Sequence, residues 1–298
     1  APLFSRATYL IDPQGRVVNS WLAAEAPGIS VYLLENGDLL RPSRPNNPLF
    51  AIGGVGGRIE RYDWNGALQW SYQYSTTTEC QHHDVHYMPN GNVLFIAWHV
   101  KTAEDAIAAG RSQKRLLNGR LLPDKIVEVQ PTGPTTAQVV WEWTVWDHLI
   151  QDFDSTKANF GDVGAHPELV DVNYPPLDRI GGGIDDWMHS NGVSYNAQLD
   201  QIILSVRHFN EFWILDHSTT TAEAASHTGG RSGHGGDLLY RWGNPEAYRA
   251  GTPADRRLFE QHNADWIAPG LPGAGNVLVF NNGLERPGAP HSSVVEVT

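Results

Sequence analysis

The sequence has few of the residues that would place it in several large classes of protein. Its 298 residues include one cysteine, Cys80, so no disulfide can form within the chain. A chain of this length can bury a core without such bonds, so the cysteine count says nothing about the compartment. No apolar run approaches the length of a membrane-spanning helix. No signal peptide is recognisable, although a mature chain would have lost one.

Basic residues are also scarce. Lys and Arg total 21 against 33 Asp and Glu, which gives a formal net charge of −12. A nucleic-acid-binding surface needs basic patches, so this balance argues against such a partner. The P-loop motif GxxxxGK[ST] is absent as well, and no nucleotide site of that type is indicated. Any binding of a small anion would have to come from a local cluster of His and Arg.

Glycine and tryptophan are abundant, with 30 and 11 residues. Short strand-like segments and tight turns recur along the chain, often with an Asn-Gly pair whose two residues are both expected to have positive φ. Repeated four-stranded units of this kind are typical of a β-propeller and not of a β-sandwich. We therefore predict an all-β propeller in a single domain, 1–298. The expected units are blade 1 at 8–41, blade 2 at 57–97, blade 3 at 124–206, blade 4 at 211–280 and the start of blade 5 at 292–298.

Two segments interrupt the repeat. Residues 101–122 are predicted to contain a short helix, and residues 144–184 form a long polar insertion in blade 3. Loops of this length in a compact domain are usually functional. Since propellers generally close with more blades, about two C-terminal blades are expected to be missing from the chain. An open blade edge would offer a surface for pairing with another copy.

The stretch from Asp185 to Asp216 has polar residues at the ends of its predicted strands. His189 and Asn191 stand two apart, so they face the same way in an extended chain. Arg207 follows the middle strand. A histidine, an amide and a guanidinium together suit an anionic, oxygen-rich group. The strands of this antiparallel meander are predicted at 192–195, 201–206 and 212–215.

The repeat brings further polar residues into register with this stretch. Aligned on hydrophobic alternation, His83, Asn191 and His262 occupy equivalent positions in three blades. Equivalent positions at the start of inner strands surround the central channel of a propeller. The three residues, with His189 and Arg207 beside them, are therefore predicted to converge on the axis.

Four motifs in these segments also resemble a known family. The motifs HHDVHYMPNGN, DWMHSNGVSYN, LSVRHFNEFWILD and QHNADW are similar to those of the bacterial arylsulfate sulfotransferases, and the resemblance extends over nearly the whole chain. It implies a six-bladed propeller and ping-pong transfer of a sulfuryl group from an aryl sulfate to a phenol through a sulfated histidine. It implies no cofactor, and a periplasmic or secreted location.

The resemblance also assigns roles to residues. His262 is implied to be the nucleophile and His83 a further active-site histidine, where the register favours His83 over His82. The chain lacks a residue that the family takes from a later blade, and Cys80 cannot form the disulfide of some members. The groups implied to hold the sulfuryl oxygens are His189, Asn191 and Arg207.

These residue types suit sulfuryl transfer. A neutral imidazole is a good nucleophile near neutral pH. Sulfuryl transfer resembles phosphoryl transfer, with charge spread over peripheral oxygens in the transition state. Fixed donors would stabilise that charge by ~3 kcal/mol each. A phenolate leaves easily, and a second histidine can return a proton to it.

Two other functions are consistent with the sequence. A propeller can serve as a non-catalytic extracellular binding or filament-forming module. Three histidines also suit zinc, but Arg207 would place a cation against a metal at His83, His189 and His262. In the Gly-rich loop at 217–236, a solvated loop is favoured over a metal-binding tract. The histidines of that loop are His217, His227 and His234.

Other prominent residues have structural interpretations. His86 and His208 alternate away from the axis and are interpreted as structural or surface residues. Asp186 could orient a histidine, and hydrogen bonding of a turn explains it equally well. The strand-periodic tryptophans are interpreted as blade packing, and they are Trp21, Trp70, Trp141, Trp143 and Trp242.

Overall fold

The structure is a computed structural model that describes residues 2, 5–116, 118–175 and 185–298. Residues 176–184 of the predicted insertion lie outside this part. The chain divides into two compact units, one of Ala1–Trp98 with Val127–Val140, the other of His99–Ile126 with Trp141–Thr298. The single-domain boundary therefore stays a prediction. None of the described helices is long and apolar enough to cross a membrane.

The first unit begins with eight short strands. They are β1 (Ala7–Ile11), β2 (Val17–Leu22), β3 (Tyr32–Leu33), β4 (Leu39–Ser43), β5 (Arg58–Tyr62), β6 (Leu68–Gln73), β7 (Glu79–Tyr87) and β8 (Val93–His99). β1 and β2 form an antiparallel pair, and β3 to β6 form a four-stranded antiparallel sheet in sequence order. A 3-10 helix at Pro48–Phe50 precedes β5.

A short helical excursion follows. It contains β9 (Lys101–Thr102), α1 (Ala103–Ala108), a 3-10 helix at Gln113–Arg115 and β10 (Arg120–Leu121). The predicted helix is therefore confirmed, and Thr102 and Asp105 close its N-terminus with a reciprocal capping box. The chain then enters β11 (Asp124–Gly133) and β12 (Thr136–Thr144), which complete a four-stranded sheet with the order β7-β8-β11-β12.

The second unit contributes the remaining elements. Its strands are β13 (Leu149–Ile150), β14 (Val170–Asp171), β15 (Ser190–Asn196), β16 (Gln201–Val206), β17 (Glu211–Asp216), β18 (Tyr240–Trp242), β19 (His262–Trp266), β20 (Val277–Asn281) and β21 (Ser293–Val297). The helix α2 spans Thr221–Ala224, and 3-10 helices lie at Val145–His148, Val163–Ala165, Arg207–Phe209, Pro245–Tyr248 and Pro253–Asp255. β15 to β18 form a four-stranded sheet, β19 to β21 a three-stranded one, and β13 pairs with β14. The predicted meander is confirmed.

Small sheets of consecutive strands are the blades of a β-propeller, and the predicted all-β propeller class is confirmed. The grouping of strands differs from the sequence units. β4 pairs with β5, so the second hairpin of one unit and the first hairpin of the next share a sheet. Likewise β21, assigned to a fifth blade, pairs with β20. A periodic sequence gives the length of the repeat, but it does not show at which strand each blade begins. The hydrogen bonds between the strands decide that phase.

The Asn-Gly turns also differ in detail from the expectation. Gly37, Gly66 and Gly91 have φ of 89°, 86° and 86°, whereas the asparagines before them are not in the left-handed region. The N–H of Gly37 donates to the carbonyl of Leu34, whose own N–H donates to Asp38. This is a type I turn closed by a left-handed glycine. The predicted hairpins are therefore confirmed, but in each Asn-Gly pair only the glycine, and not the asparagine, has positive φ.

Apolar side chains fill each unit separately. In the first unit, Trp70 packs with Ile59, Val85 and Phe95. In the second unit, Ile203 and Phe212 pack against Ala264 and Val279. The second cluster joins the sheet that contains β15 and β16 to the sheet that contains β19, and so it positions the segments with His189, Arg207 and His262. Trp21, Trp141 and Trp143 are buried, as blade packing requires.

Candidate active site

Two neighbouring strands of the second unit are irregular at the predicted site residues. The register of β15 shifts between Ser190 and Gly192, so Asn191 occupies a β-bulge, and β19 shifts after His262. His189 and Asn263 have φ of 51° and 52°, in the left-handed region. Such backbone costs about 1–3 kcal/mol for residues other than glycine and is concentrated at functional sites.

The two bulged strands approach each other closely. A Cβ atom at Gly192 would lie 3.0 Å from Cα of Asn263. A side chain at this position would therefore push β15 away from β19. Glycine allows the backbone that follows Asn191 to lie beside the backbone that follows His262.

His262 presents one defined nitrogen. Its Nδ1 lies 2.8 Å from Oδ1 of Asn282. An amide oxygen only accepts, so Nδ1 carries the proton and Nε2 keeps its lone pair. Burial lowers the pKa of His262, the bond to Asn282 opposes this, and the charges of Arg207 and His189 lower the pKa further. The ring of His262 is therefore neutral near pH 7, and it lies within electrostatic reach of Arg207 and His189.

Arg207 reaches the His262 segment through a carboxylate. Its Nη2 forms an ion pair with Glu260, two residues before His262. Its Nη1 lies 3.1 Å from Nε2 of His208. Both side chains of the Arg207–Glu260 pair are mostly buried, which limits screening of the charges by water.

His208 fixes the guanidinium from the other side. Its Nδ1 lies 3.0 Å from the carbonyl of Asp186, so Nδ1 donates and Nε2 accepts from Arg207. Burial lowers the pKa of His208 to about 4, which keeps the ring neutral. Of the two interpretations of His208, structural or surface, its burial supports the structural one. The 3-10 turn at Arg207–Phe209 ends the strand alternation, and the ring contacts Arg207.

His189 is oriented by an acid. Its Nδ1 donates to the carboxylate of Asp186, which is fully buried. Its ring lies 4.9 Å from that of His208, centroid to centroid. Of the two interpretations of Asp186, orientation of a histidine is the one that this hydrogen bond supports.

Asn191 binds the residue before His262. Its Nδ2 donates to the carbonyl of Gln261 at 2.8 Å, which identifies the nitrogen end of the amide. Its Oδ1 is buried and has no hydrogen-bond partner within the described part of the chain. A buried acceptor without a donor costs about 1–3 kcal/mol, and a ligand hydroxyl or N–H would satisfy it.

The structure thus gathers His189, Asn191, Arg207 and His262 within the second unit. His83 belongs to the first unit, and its share in the site stays a prediction. Its Nδ1 lies 2.8 Å from Nδ1 of His82, whose ring is fully buried and stacks on Trp98 at 4.0 Å. This stacking gives His82 a packing role.

Asn282 and Glu260 contact the site residues His262 and Arg207 but were not among the predicted residues. Neither residue stands at a periodic or motif position, so no signal in one sequence identifies them. The alternative metal site gains no support either. Among the described residues, three metal-binding atoms come within 4.8 Å of one another at His148, His227 and Asp237, while His189 and His262 lie in the second unit and His83 in the first.

Comparison with known proteins gives one family. A sequence model described as Arylsulfotransferase (ASST) matches residues 4–294. Among curated proteins, none matches the chain.

Several solved structures are similar at low identity. A protein of unknown function from Bacteroides caccae is 9% identical, with 97% of this chain and 69% of that chain covered and a TM-score of 0.45. Hydrazine synthase from Kuenenia stuttgartiensis is 12% identical, with 100% and 67% covered and a TM-score of 0.49. The periplasmic gluconolactonase of Pseudomonas aeruginosa is 13% identical, with 98% and 77% covered and a TM-score of 0.34. Similarities this weak carry no argument about function.

Proposed function

The chain belongs to the arylsulfotransferase family, and from this premise we propose that it transfers a sulfuryl group from an aryl sulfate to a phenol by a ping-pong mechanism. The observation that carries the proposal is the position of His262, a half-buried neutral imidazole within electrostatic reach of Arg207 and His189. A neutral nucleophile beside the guanidinium of Arg207 suits attack on an anionic ester.

In the first step, Nε2 of His262 attacks the sulfur of the aryl sulfate. The N–S bond forms, the bond from sulfur to the aryl oxygen breaks, and its electron pair leaves on the phenolate. His189, whose ring is held by its hydrogen bond to Asp186, gives the phenolate a proton. The products are a free phenol and a sulfated His262.

In the second step, the acceptor phenol gives its proton to His189 and its oxygen attacks the sulfur. The N–S bond breaks, and its electron pair returns to Nε2 of His262. Asn282 accepts from Nδ1 throughout and so keeps the same nitrogen reactive. The donor sulfate supplies the transferred group, so the two steps need no nucleotide.

Arg207 and Asn191 supply the electrostatic part of the mechanism. The planar guanidinium of Arg207 can bind two sulfuryl oxygens at once. The second N–H of the Asn191 amide, whose first N–H binds the carbonyl of Gln261, can donate to a third oxygen. Each fixed donor would lower the barrier by ~3 kcal/mol.

The test uses a chromogenic aryl sulfate with a phenol acceptor. We expect turnover by the unmodified protein and its loss in His262→Ala. The matched control is His166→Ala, which removes a half-exposed histidine remote in sequence from the proposed site and should leave turnover unchanged. Equal turnover in His262→Ala would overturn the nucleophile assignment, and no turnover in the unmodified protein would favour the non-catalytic module.

The covalent intermediate has its own measurement. Without acceptor, the protein should release one equivalent of phenol and gain the mass of one sulfuryl group on the peptide that contains His262. Initial rates at varied donor and acceptor should give parallel double-reciprocal lines. Intersecting lines with no mass gain would contradict the two-step mechanism.

We also propose that the protein is periplasmic or secreted, and that it self-associates through an open blade edge. Fractionation of cells that express the complete gene would test the location. Light scattering of the purified protein would test the assembly.

A further inference from the structure

A second cluster of chemically active side chains lies in the second unit, outside the candidate active site. Nδ1 of His148 lies 2.7 Å from Oδ1 of Asp237, and Nδ1 of His227 lies 2.8 Å from the same oxygen. All three atoms fall within 4.8 Å of one another. Two imidazole nitrogens and a carboxylate oxygen from three separate positions in the chain therefore point at one place.

The far side of His148 decides what can occupy that place. Its Nε2 lies 2.8 Å from the carbonyl of Ala224. A carbonyl only accepts, so Nε2 carries a proton, and in a neutral ring Nδ1 then faces Asp237 with a lone pair. A lone pair against a carboxylate oxygen requires a cation between them, either a second proton or a metal ion. Histidines that bind metals usually donate their other N–H to a carbonyl in this way.

The surroundings of the cluster are rigid on one side and adjustable on the other. The ring of His148 is fully buried and stacks on Trp143 at 5.7 Å, with an angle of 7° between the rings. Nε1 of Trp143 donates to the carbonyl of Gly236, next to Asp237, at 2.7 Å. The side chain of His227 is 60% exposed, so it can move to complete a coordination sphere.

We propose that His148, His227 and Asp237 form a Zn²⁺ site. Zinc favours imidazole nitrogen and carboxylate oxygen at about 2.0–2.2 Å, and three protein ligands with one open position are typical of zinc sites accessible to solvent. Tetrahedral ligands at this distance are separated by roughly 3.4 Å, so the two nitrogens must each move away from the Asp237 oxygen by roughly 0.6–0.7 Å. The exposed ring of His227 can supply this movement for its own pair with Asp237. For the pair with His148, whose ring is buried, the carboxylate of Asp237 has to turn.

The open position faces a cavity of about 740 Å³ that His227 and Asp237 line together with Glu168 and His234. The ion would connect the 3-10 helix at Val145–His148 to the loop at 217–236. It would therefore stabilise this Gly-rich loop. The site and the proposed sulfuryl transfer do not depend on each other.

The experiment measures binding of Zn²⁺ alone to the full chain after removal of metals with a chelator. Titration calorimetry should give one equivalent, and Co²⁺ in place of Zn²⁺ should give the visible absorption of a four-coordinate site. The thermal midpoint should rise with free Zn²⁺ because the ion binds only the folded chain. Removing the exposed ligand in His227→Ala should weaken Zn²⁺ binding at least about a hundredfold.

The matched control is His234→Ala, a histidine of the same loop and cavity that lies outside the cluster, and it should bind Zn²⁺ as the unmodified chain does. Asp237→Asn provides a second variant if His227→Ala fails to fold. The proposal is overturned if the unmodified chain binds less than one equivalent, in which case protons alone join the three side chains. It is also overturned if His227→Ala and Asp237→Asn both bind as tightly as the control.

Discussion

The guanidinium of Arg207 forms an ion pair with the carboxylate of Glu260, two residues before His262. The backbone of Glu260 is fixed by a hydrogen bond from its N–H to Oδ1 of Asn210 at 2.7 Å, and its φ of 52° aims the side chain back toward Arg207. The pair therefore joins the end of β16 to the start of β19. It also places a negative charge beside the cation that the proposed mechanism assigns to the sulfuryl group.

Replacing this carboxylate by an amide should strengthen substrate binding. Glu260→Gln removes a negative charge that repels an anionic ester, and we expect KM for the aryl sulfate to fall about fivefold, equivalent to about 1 kcal/mol. Steady-state kinetics would measure it, with Glu285→Gln, an exposed acid, as the control. A higher KM in Glu260→Gln would mean that the ion pair acts chiefly by positioning Arg207.

Arg207 itself should not tolerate replacement by lysine. Lysine keeps the charge but loses the planar fork that binds two oxygens and contacts His208 and Glu260 together. We expect kcat/KM of Arg207→Lys to fall about 10²–10³-fold. Arg231→Lys, at an exposed arginine, serves as the control. If Arg207→Lys keeps its full kcat/KM, a simple positive charge suffices and the bidentate role is wrong.

The sequence predicted the features that depend on local pattern. Short strand-like segments separated by polar turns located β15, β16 and β17, most of whose residues are buried. The spacing of polar residues at strand ends selected His189, Arg207 and His262. Patterns of this kind arise within one strand or between equivalent strands, so a single sequence contains them.

Features that depend on contacts between distant segments were not predictable in this way. Asn282 lies at the end of β20 and meets His262 only because the two strands pair. His208 points inward because a 3-10 turn interrupts the alternation that the sequence suggested. The phase of the blades was also missed, since every hairpin in the repeat has a similar pattern.

Asn282 should control the acidic limb of the pH–rate profile. Activity requires neutral His262, whose pKa is lowered by burial and raised in part by the bond to Asn282. Asn282→Asp presents a carboxylate that favours the imidazolium, so the limb should move to higher pH. Asn282→Leu removes the acceptor, so the limb should move to lower pH and kcat should fall, because neither nitrogen is then fixed as the nucleophile.

The measurement is kcat/KM for the aryl sulfate across the acid range for both variants. Asn276→Asp, at an exposed asparagine whose amide binds Glu296, is the control and should keep the original profile. Opposite shifts in Asn282→Asp and Asn282→Leu are expected. Shifts in the same direction would show that the limb reports a group other than His262.

His208 should make the folded chain less stable in acid. Burial lowers its pKa from 6.5 to about 4, so between these values the unfolded chain binds a proton that the folded chain does not. Stability therefore rises with pH through this window and is complete above it. From pH 7 to pH 5, this one group should remove about 2 kcal/mol from the free energy of unfolding.

Urea unfolding of His208→Gln at both pH values is the measurement. The variant cannot titrate at this position, so its free energy of unfolding should fall by about 2 kcal/mol less than that of the unmodified chain. His166→Gln, at a half-exposed histidine, should show the original pH dependence. Identical pH dependence in His208→Gln and the unmodified chain would mean that the ring is not buried in its neutral form.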